Sequence, residues 1–439
     1  MLPRLSAPRL IVLGFAGFIL LGTILLKLPA SSQGLSWLDA FFISVSAVCV
    51  TGLSPVDTAA TFTPLGQAFL AGLVQVGGLG IMTATTVGAI IIGRRLGFKD
   101  LLTVRAELGS VDAPRNVLRL LVQIASITAA VELVGVVVFT IRFALEDDIG
   151  PFAALGYGTF HAITAFCNAG FTNLENGLYP YAGDWVLNLT LVYLIVAGGL
   201  GFPVLVNLYY YRRLRRLTLN SKLVLVATAI LLVAGVLSFA ILEWTNPQTL
   251  GGEGMNTRLA EALFQGVTPR TAGFQTLDYA DMRDSTLSVQ IGLMFFGTAP
   301  ISTGGGIKVT TLALMFLLVL AQLRGQEEVT AFGKRIPGAL IGQALALLSI
   351  VAVILPAAAV ALMFFEDLAA MPALFEVVSA FGTVGLSLNV TPELGAFGKV
   401  LIALVMFLGR VGPLTLLLAL RERARPRPYS YPEEDVALG

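Results

Sequence analysis

The sequence predicts an all-α polytopic membrane protein made of four tandem repeats. Each repeat is a spanning helix, a short pore helix, a glycine loop and a second spanning helix, arranged with pseudo-fourfold symmetry around one central pore. Three observations carry this. Of the 439 residues, 56% are hydrophobic and 13% charged, with a mean hydropathy of +0.84. Eight long apolar stretches enclose four shorter ones, and four glycine loops recur at close to quarter-chain intervals.

Composition narrows the function classes first. A soluble domain carries about 25% charged residues, so this chain is not a cytosolic enzyme, a nucleic-acid binder or a disordered scaffold. His161 is the only histidine, which excludes multi-histidine metal chemistry. Cys49 and Cys167 stand 118 residues apart in apolar surroundings, which fits inert buried thiols better than a disulfide or a thiolate metal site. The chain is not read as an enzyme of any kind.

The first repeat, 1–112, opens with an apolar run from Leu10 to Leu26 behind Arg4 and Arg9. That run exceeds the hydrophobic region of a signal peptide and the pattern continues to the C-terminus, so it is a first span. A short segment near 37–48 and a long stretch near 64–93 complete the repeat. The second repeat, 113–218, has stretches near 117–145 and 185–210 around a short segment near 153–166. The third, 219–335, has 220–245 and 286–323 around 257–267. The fourth, 336–425, has 337–365 and 397–419 around 371–381, and 426–439 is a C-terminal tail. A helix as short as these four segments rises only ~16–21 Å, against a ~30 Å hydrocarbon core. Each can enter a membrane and turn back.

Every short segment ends in a similar context: Val50-Thr51-Gly52-Leu53, Asn168-Ala169-Gly170-Phe171, Thr271-Ala272-Gly273-Phe274 and Thr383-Val384-Gly385-Leu386. The glycines are 118, 103 and 112 residues apart. Downstream, Gly77-Gly78-Leu79-Gly80, Gly198-Gly199-Leu200-Gly201, Thr303-Gly304-Gly305-Gly306 and Gly409-Arg410-Val411-Gly412 align on their last glycine, 28, 31, 33 and 27 residues past the loop glycine. In the first two repeats these clusters read equally as helix-packing motifs. The third repeat, Gly297-Thr298-Ala299-Pro300-Ile301-Ser302-Thr303-Gly304-Gly305-Gly306, is expected to break into an irregular loop at membrane depth, tolerated only when buried in protein or lining a water-filled cavity.

Charge placement sets the orientation. The loops 94–119, 212–222 and 324–335 with both termini hold 20 Lys/Arg against 9 Asp/Glu, and the rest of the chain holds 8 against 18, inside a net charge of +1. By the positive-inside rule the termini and those loops are cytoplasmic, so the glycine loops enter from outside.

An ion crossing a bilayer exchanges its hydration shell for oxygen ligands, which a ring of backbone carbonyls supplies. Glycine allows the backbone angles that turn successive carbonyls to one axis. Four helix C-termini aimed at the midplane add partial negative charge there, which favours a monovalent cation. The alternative is four ordinary glycine caps. Arg410 replaces Gly78, Gly199 and Gly304 in the alignment, and is either a positive barrier or anchor for the broken segment or an ion-pair partner of Glu132. Lys308 either anchors the loop or reaches the interface, and Glu132 reads as a hydrogen-bonded packing residue rather than a translocation site. Asp57, Glu146, Asp147, Asp148 and Asp184 either concentrate cations at the mouth or form a solvated face.

These motifs together resemble the Trk/Ktr/HKT superfamily of potassium transporters, closest to its Ktr membrane subunits, over nearly the whole chain. The resemblance rests on the four repeats, Val50-Thr51-Gly52-Leu53, Ser302-Thr303-Gly304-Gly305-Gly306-Ile307-Lys308 and Gly409-Arg410-Val411-Gly412-Pro413. It implies a potassium filter at the four glycine loops and an intramembrane gate over Gly297 to Gly306 with Arg410 facing it. Sodium-selective relatives carry serine at the first loop glycine, so Gly52 implies potassium. Further implications are a homodimer in the plasma (inner) membrane of a prokaryote, a cytosolic ring of nucleotide-binding regulatory subunits of the KtrA (RCK) type binding ATP or ADP, and sodium as an activator. The chain carries no cofactor of its own under this reading, and K+ is its cargo. Arg212, Arg213, Arg215, Arg216 and Lys222 face either that ring or anionic lipid, and Tyr431 to Gly439 resembles a tail that tucks into the dimer interface. The competing class is a sodium-coupled secondary transporter with the broken helix as a mobile binding element. Such proteins usually have inverted halves and intramembrane carboxylates, whereas these repeats run in one sense and no glycine loop carries an acid.

Overall fold

The computed structural model describes residues 7–80, 117–146 and 149–413. The basic loop over 94–116, Asp147, Asp148 and the tail 426–439 lie outside the described residues.

Each repeat follows one plan. A long helix comes first: α1 (Ala7–Lys27), α4 (Val117–Glu146), α8 (Leu219–Glu243) and α12 (Gly338–Phe365). Apolar side chains such as Leu133, Val137, Ile230, Val233 and Leu237 stand exposed on these helices, as a lipid-facing surface requires. The short helices are α2 (Trp37–Val48), α5 (Pro151–Phe166), α9 (Met255–Val267) and α13 (Ala370–Gly382). Local chemistry fixes several starts. Ser36 caps α2 by accepting from the Asp39 amide at 3.0 Å, and α5 opens on Pro151, whose fixed φ suits a first helical turn.

Among the described residues, the second helix of each repeat ends or breaks before its aligned last glycine. Helix α3 (Pro64–Leu79) stops at Gly80, with φ +82, and α14 (Ala396–Val411) stops at Gly412, with φ +86. The stretch 185–210, expected to be one span, is two helices, α6 (Trp185–Gly199) and α7 (Phe202–Tyr209), bent by 101°. Gly201 is the reason: its φ of +84 is open to glycine, and a Cβ there would come 2.7 Å from the Pro300 carbonyl. In the third repeat α10 (Asp284–Phe295) and α11 (Val309–Leu323) are separated by the irregular segment 296–308. All four aligned last glycines therefore have positive φ, and the clusters of the first two repeats mark helix ends as well as packing contacts. Among the described residues, four helices are long and apolar enough to cross a membrane, or five with the bent pair.

The repeats pack in cyclic order. Each short helix lies against the long helix of its own repeat, and in the first, second and fourth repeats also against its own second helix; in the third, Gln290 of α10 donates to the Gln265 carbonyl of α9 at 3.3 Å. Each short helix also meets the second helix of the preceding repeat: α3 with α5, α6 with α9, α10 with α13 and, closing the circle, α14 with α2. A Phe15–Phe407 edge contact and a Lys399–Asp39 ion pair at 2.7 Å hold that last junction, the one that no chain connection spans. Between α11 and α12, Thr330–Ala331 and Lys334–Arg335 form a two-stranded hairpin. One continuous core contains the short helices and the side chains of the loops that follow them.

Candidate functional site

The four glycine loops share one backbone geometry. Their first residues, Val50, Asn168, Thr271 and Thr383, have φ of +58, +59, +66 and +50, and their glycines, Gly52, Gly170, Gly273 and Gly385, have φ of +97, +64, +77 and +94. A left-handed non-glycine residue costs about 1–2 kcal/mol, so the same departure at four equivalent places marks a geometry that the surrounding fold enforces. Second-residue amides turn back to the short helices: Thr51 N to Ser46 O (2.7 Å), Ala169 N to Thr164 O (2.8 Å), Ala272 N to Thr268 O (2.9 Å) and Val384 N to Ser379 O (2.8 Å). Ser46 and Ser379 hydroxyls also accept from the amides of Gly52 and Gly385, at 3.0 and 3.1 Å. With their N–H groups satisfied behind them and Thr51, Leu53, Ala169, Phe171, Ala272, Phe274, Val384 and Leu386 side chains buried, the loops present backbone to one another.

They meet as a closed ring. A Cβ on Gly52 would overlap the Ala169 carbonyl, one on Gly170 that of Ala272, one on Gly273 that of Val384, and one on Gly385 that of Thr51. The ring leaves no room for side chains at these glycines. All four glycines line a cavity of about 690 Å³, together with Asp57, Glu175, Gln275 and Asn389.

Side chains on the short helices brace the loops from behind. His161 sets Nδ1 2.9 Å from the Tyr157 carbonyl and Nε2 3.0 Å from Thr172 Oγ1. Glu376 accepts from Ser387 Oγ at 2.7 Å and from Thr391 Oγ1. Gln265 donates to Thr276 Oγ1 and accepts from Tyr279 Oη, both at 2.9 Å. Of these, only His161 stands out in the sequence, as the sole histidine and not as a brace. A signal existed: His161 and Glu376 each stand seven residues before the first residue of their loop, and Thr172 and Ser387 four after it.

The segment 296–308 lies against first residues of the loops, and neither it nor they line the cavity. A Cβ on Gly304 would overlap Thr271 Oγ1, and the Gly305 amide donates to Thr383 Oγ1 at 2.8 Å. The segment also joins the neighbouring repeats, with Ala299 N to Gly199 O (3.0 Å), Phe202 N to Ile301 O (3.0 Å) and Gly306 N to Gly409 O (3.2 Å). Thr298 and Ser302 hydroxyls bond each other at 2.7 Å, and Ser302 donates to the Ala299 carbonyl at 2.6 Å.

Cations hold the segment by its carbonyls. Arg410 donates to Thr303 O and to Gly77 O, and approaches Gly78 O at 3.4 Å. Lys308 Nζ donates to Gly304 O at 2.6 Å, which is the anchoring arrangement. Arg270, which sequence reasoning passed over, donates to Phe296 O where α10 ends. Glu132 is held by Gln75, whose side-chain oxygen lies 3.4 Å from Cys167 Sγ.

The acids divide differently from the sequence grouping. Asp57 lines the cavity, but it caps a turn through the amides of Ala59 and Ala60. Asp184 pairs with Arg142 at 2.6 Å and caps α6. Glu175, absent from that grouping, lines the cavity.

A family model described as TrkH, cation transport protein, matches residues 11–426. The chain belongs to the TrkH family. That makes it a member of a cation-transporter family rather than an enzyme family, and a multi-pass membrane protein. It is 38% identical over 437 residues to the Ktr system potassium uptake protein B of Bacillus subtilis, covering 99% of this chain and 97% of that protein. It is 37% identical to the Ktr system potassium uptake protein B of Vibrio alginolyticus, covering 98% and 95%, and 35% identical to the potassium/sodium uptake protein NtpJ of Enterococcus hirae, covering 99% and 98%. The crystal structure of the potassium transporter TrkH from Vibrio parahaemolyticus matches with a TM-score of 0.75 at 19% identity, over 96% of this chain and 86% of that one, which establishes the shared TrkH fold.

Proposed function

We propose that this chain is the potassium-translocating subunit of an uptake system, channel-like in mechanism. The observation that carries the reading is the closed ring of four glycine loops, in which each glycine packs on a carbonyl of the neighbouring loop and side chains at the glycines are excluded. Residues 50–53, 168–171, 271–274 and 383–386 act as the filter. Carbonyl oxygens there replace the hydration shell of K+, and the cavity of about 690 Å³ is the mouth from which the ion enters. The segment 297–306 acts as the gate, closed by Arg410 and Lys308 gripping its carbonyls. Similarity to proteins of a Ktr system supports a further subunit in that system; a homodimer regulated by a cytosolic nucleotide-binding partner, with sodium stimulation, is what the family resemblance implies. The basic loops support a plasma-membrane orientation with cytoplasmic termini.

The full-length chain in liposomes, with radioactive rubidium as tracer, tests both parts. Potassium should displace rubidium far better than sodium does, and equal competition refutes the filter assignment. Arg410→Ala removes charge-assisted bonds worth about 1.5–3 kcal/mol each, so basal flux should rise roughly tenfold or more. Unchanged flux in both Arg410→Ala and a deletion within 298–305 refutes the gate. The sodium-coupled reading gains support from the bend between α6 and α7, from the break at 296–308 and from the name of the Enterococcus relative. It predicts uptake that stops without sodium.

A further inference from the structure

The residue just before each loop's first residue is Cys49, Cys167, Arg270 and Gly382. Three of these are small and uncharged. The third is a guanidinium, in the same repeat whose second helix opens into the irregular segment. Its surroundings are unfavourable for a cation. Arg270 is 3% exposed, and its Nε has no hydrogen-bond partner among the described residues. A cation kept in such a place at membrane depth carries a functional presumption.

What Arg270 does hold is specific. Its guanidinium donates to the carbonyl of Phe296, the residue at which α10 loses helical geometry. In the other repeats this junction is made without a side chain: Gly77, Gly198 and Gly409 lie directly on the carbonyls of Val48, Phe166 and Phe381, close to the end of the short helix. The third repeat replaces that glycine contact by a bridge from the loop stem to the shoulder of the broken helix. Thr271, the neighbour of Arg270, is itself in the ring. Its hydroxyl lies 3.2 Å from the Asn168 side-chain amide and is covered by Gly304. Arg410 and Lys308 grip the segment from outside the loops, while Arg270 grips it from within one.

We infer that Arg270 is a positioning residue that ties the third glycine loop to the irregular segment, so that losing this tie loosens ion discrimination as well as admitting ions. Arg270 touches no ion on this account. It acts by tying Thr271 and Phe296 to one rigid, planar group. This rests on the filter and gate reading above.

The test uses the full-length protein in liposomes and reads two quantities, rubidium flux and the sodium concentration that competes with it. Arg410→Ala should raise flux and leave discrimination as in the unaltered protein. Arg270→Gln should raise flux and let sodium compete about tenfold more effectively, the effect of losing roughly one charge-assisted bond. Arg270→Lys keeps a charge and a donor without the fork, and should shift discrimination about threefold in the same direction. Raised flux with unaltered discrimination in Arg270→Gln overturns the coupling and leaves a plain anchor; unaltered values of both overturn it too. If Arg270→Gln fails to elute as a folded protein, unaltered discrimination in Arg270→Lys overturns it instead. Unchanged flux in Arg410→Ala refutes the gate alone, because the claim for Arg270 is read from discrimination. Absence of discrimination in the unaltered protein refutes the filter reading and this inference with it.

Discussion

Substituting alanine at Gly273 separates what the ring requires from what the backbone requires. Gly273 has φ of +77, and a Cβ there would overlap the Val384 carbonyl. Gly34, in the turn between α1 and α2, has a similar φ of +70 and nothing within 4 Å of an added Cβ. Both alanines incur the left-handed penalty of about 1–2 kcal/mol, so Gly34→Ala should lose a modest amount of thermal stability and Gly273→Ala more than that. Only Gly273→Ala also has to push a neighbouring loop's carbonyl aside, and that atom is backbone with no rotamer to yield. Displacing one oxygen of the ring by several tenths of an ångström should lower potassium-over-sodium discrimination at least tenfold, about 1.4 kcal/mol. Rubidium uptake competed by sodium in liposomes, alongside thermal unfolding of each variant, provides the readout. Unaltered discrimination in Gly273→Ala, or an equal loss in Gly34→Ala, would refute the argument that ring contact rather than strain sets the selectivity.

Three further outcomes follow from the same geometry. Lys399 and Asp39 join the fourth repeat to the first with each side chain 16% exposed. Asp39→Asn and Lys399→Met should each lower thermal stability, and the double variant should fall short of the sum by about 1 kcal/mol; strict additivity would show that the pair does not hold the junction. Glu376→Gln keeps one acceptor for Ser387 and Thr391, so it should cost about 1–2 kcal/mol and less than Glu376→Ala, with equal losses counting against the bracing role. Lys308→Met removes donors to Gly304 O and Gly305 O, and rubidium flux should rise by less than in Arg410→Ala; no rise would show that Lys308 does not restrain the segment.

Much of the fold was legible along the chain because its signals are local. A short apolar segment flanked by long ones, followed by a glycine triplet, is a property of some twenty consecutive residues, and the structure places a short helix and a positive-φ glycine at each of the four. The break at 296–308 was announced by Pro300 and the run of glycines after it. The break at Gly201 was not, because Gly198-Gly199-Leu200-Gly201 serves a helix-packing face and a helix end equally well from sequence alone. Cys49 and Cys167 were read as unrelated buried thiols, although their spacing of 118 residues equals that of Gly52 and Gly170; both cap short helices at the same step of the repeat.

By itself, then, the sequence determined the membrane environment, the four short apolar helices between longer ones and the glycine positions. Tertiary structure alone decided how those pieces close on one another. The contacts that make the ring and hold the irregular segment join residues far apart: Lys399 reaches Asp39 across 360 positions, and Arg410 reaches Gly77 across 333. It also decided that Arg270, unremarkable in its own repeat, meets the Phe296 carbonyl. Hydrophobic length and backbone freedom are encoded where they act, whereas the partner of a buried cation exists only once distant helices have packed and excluded water.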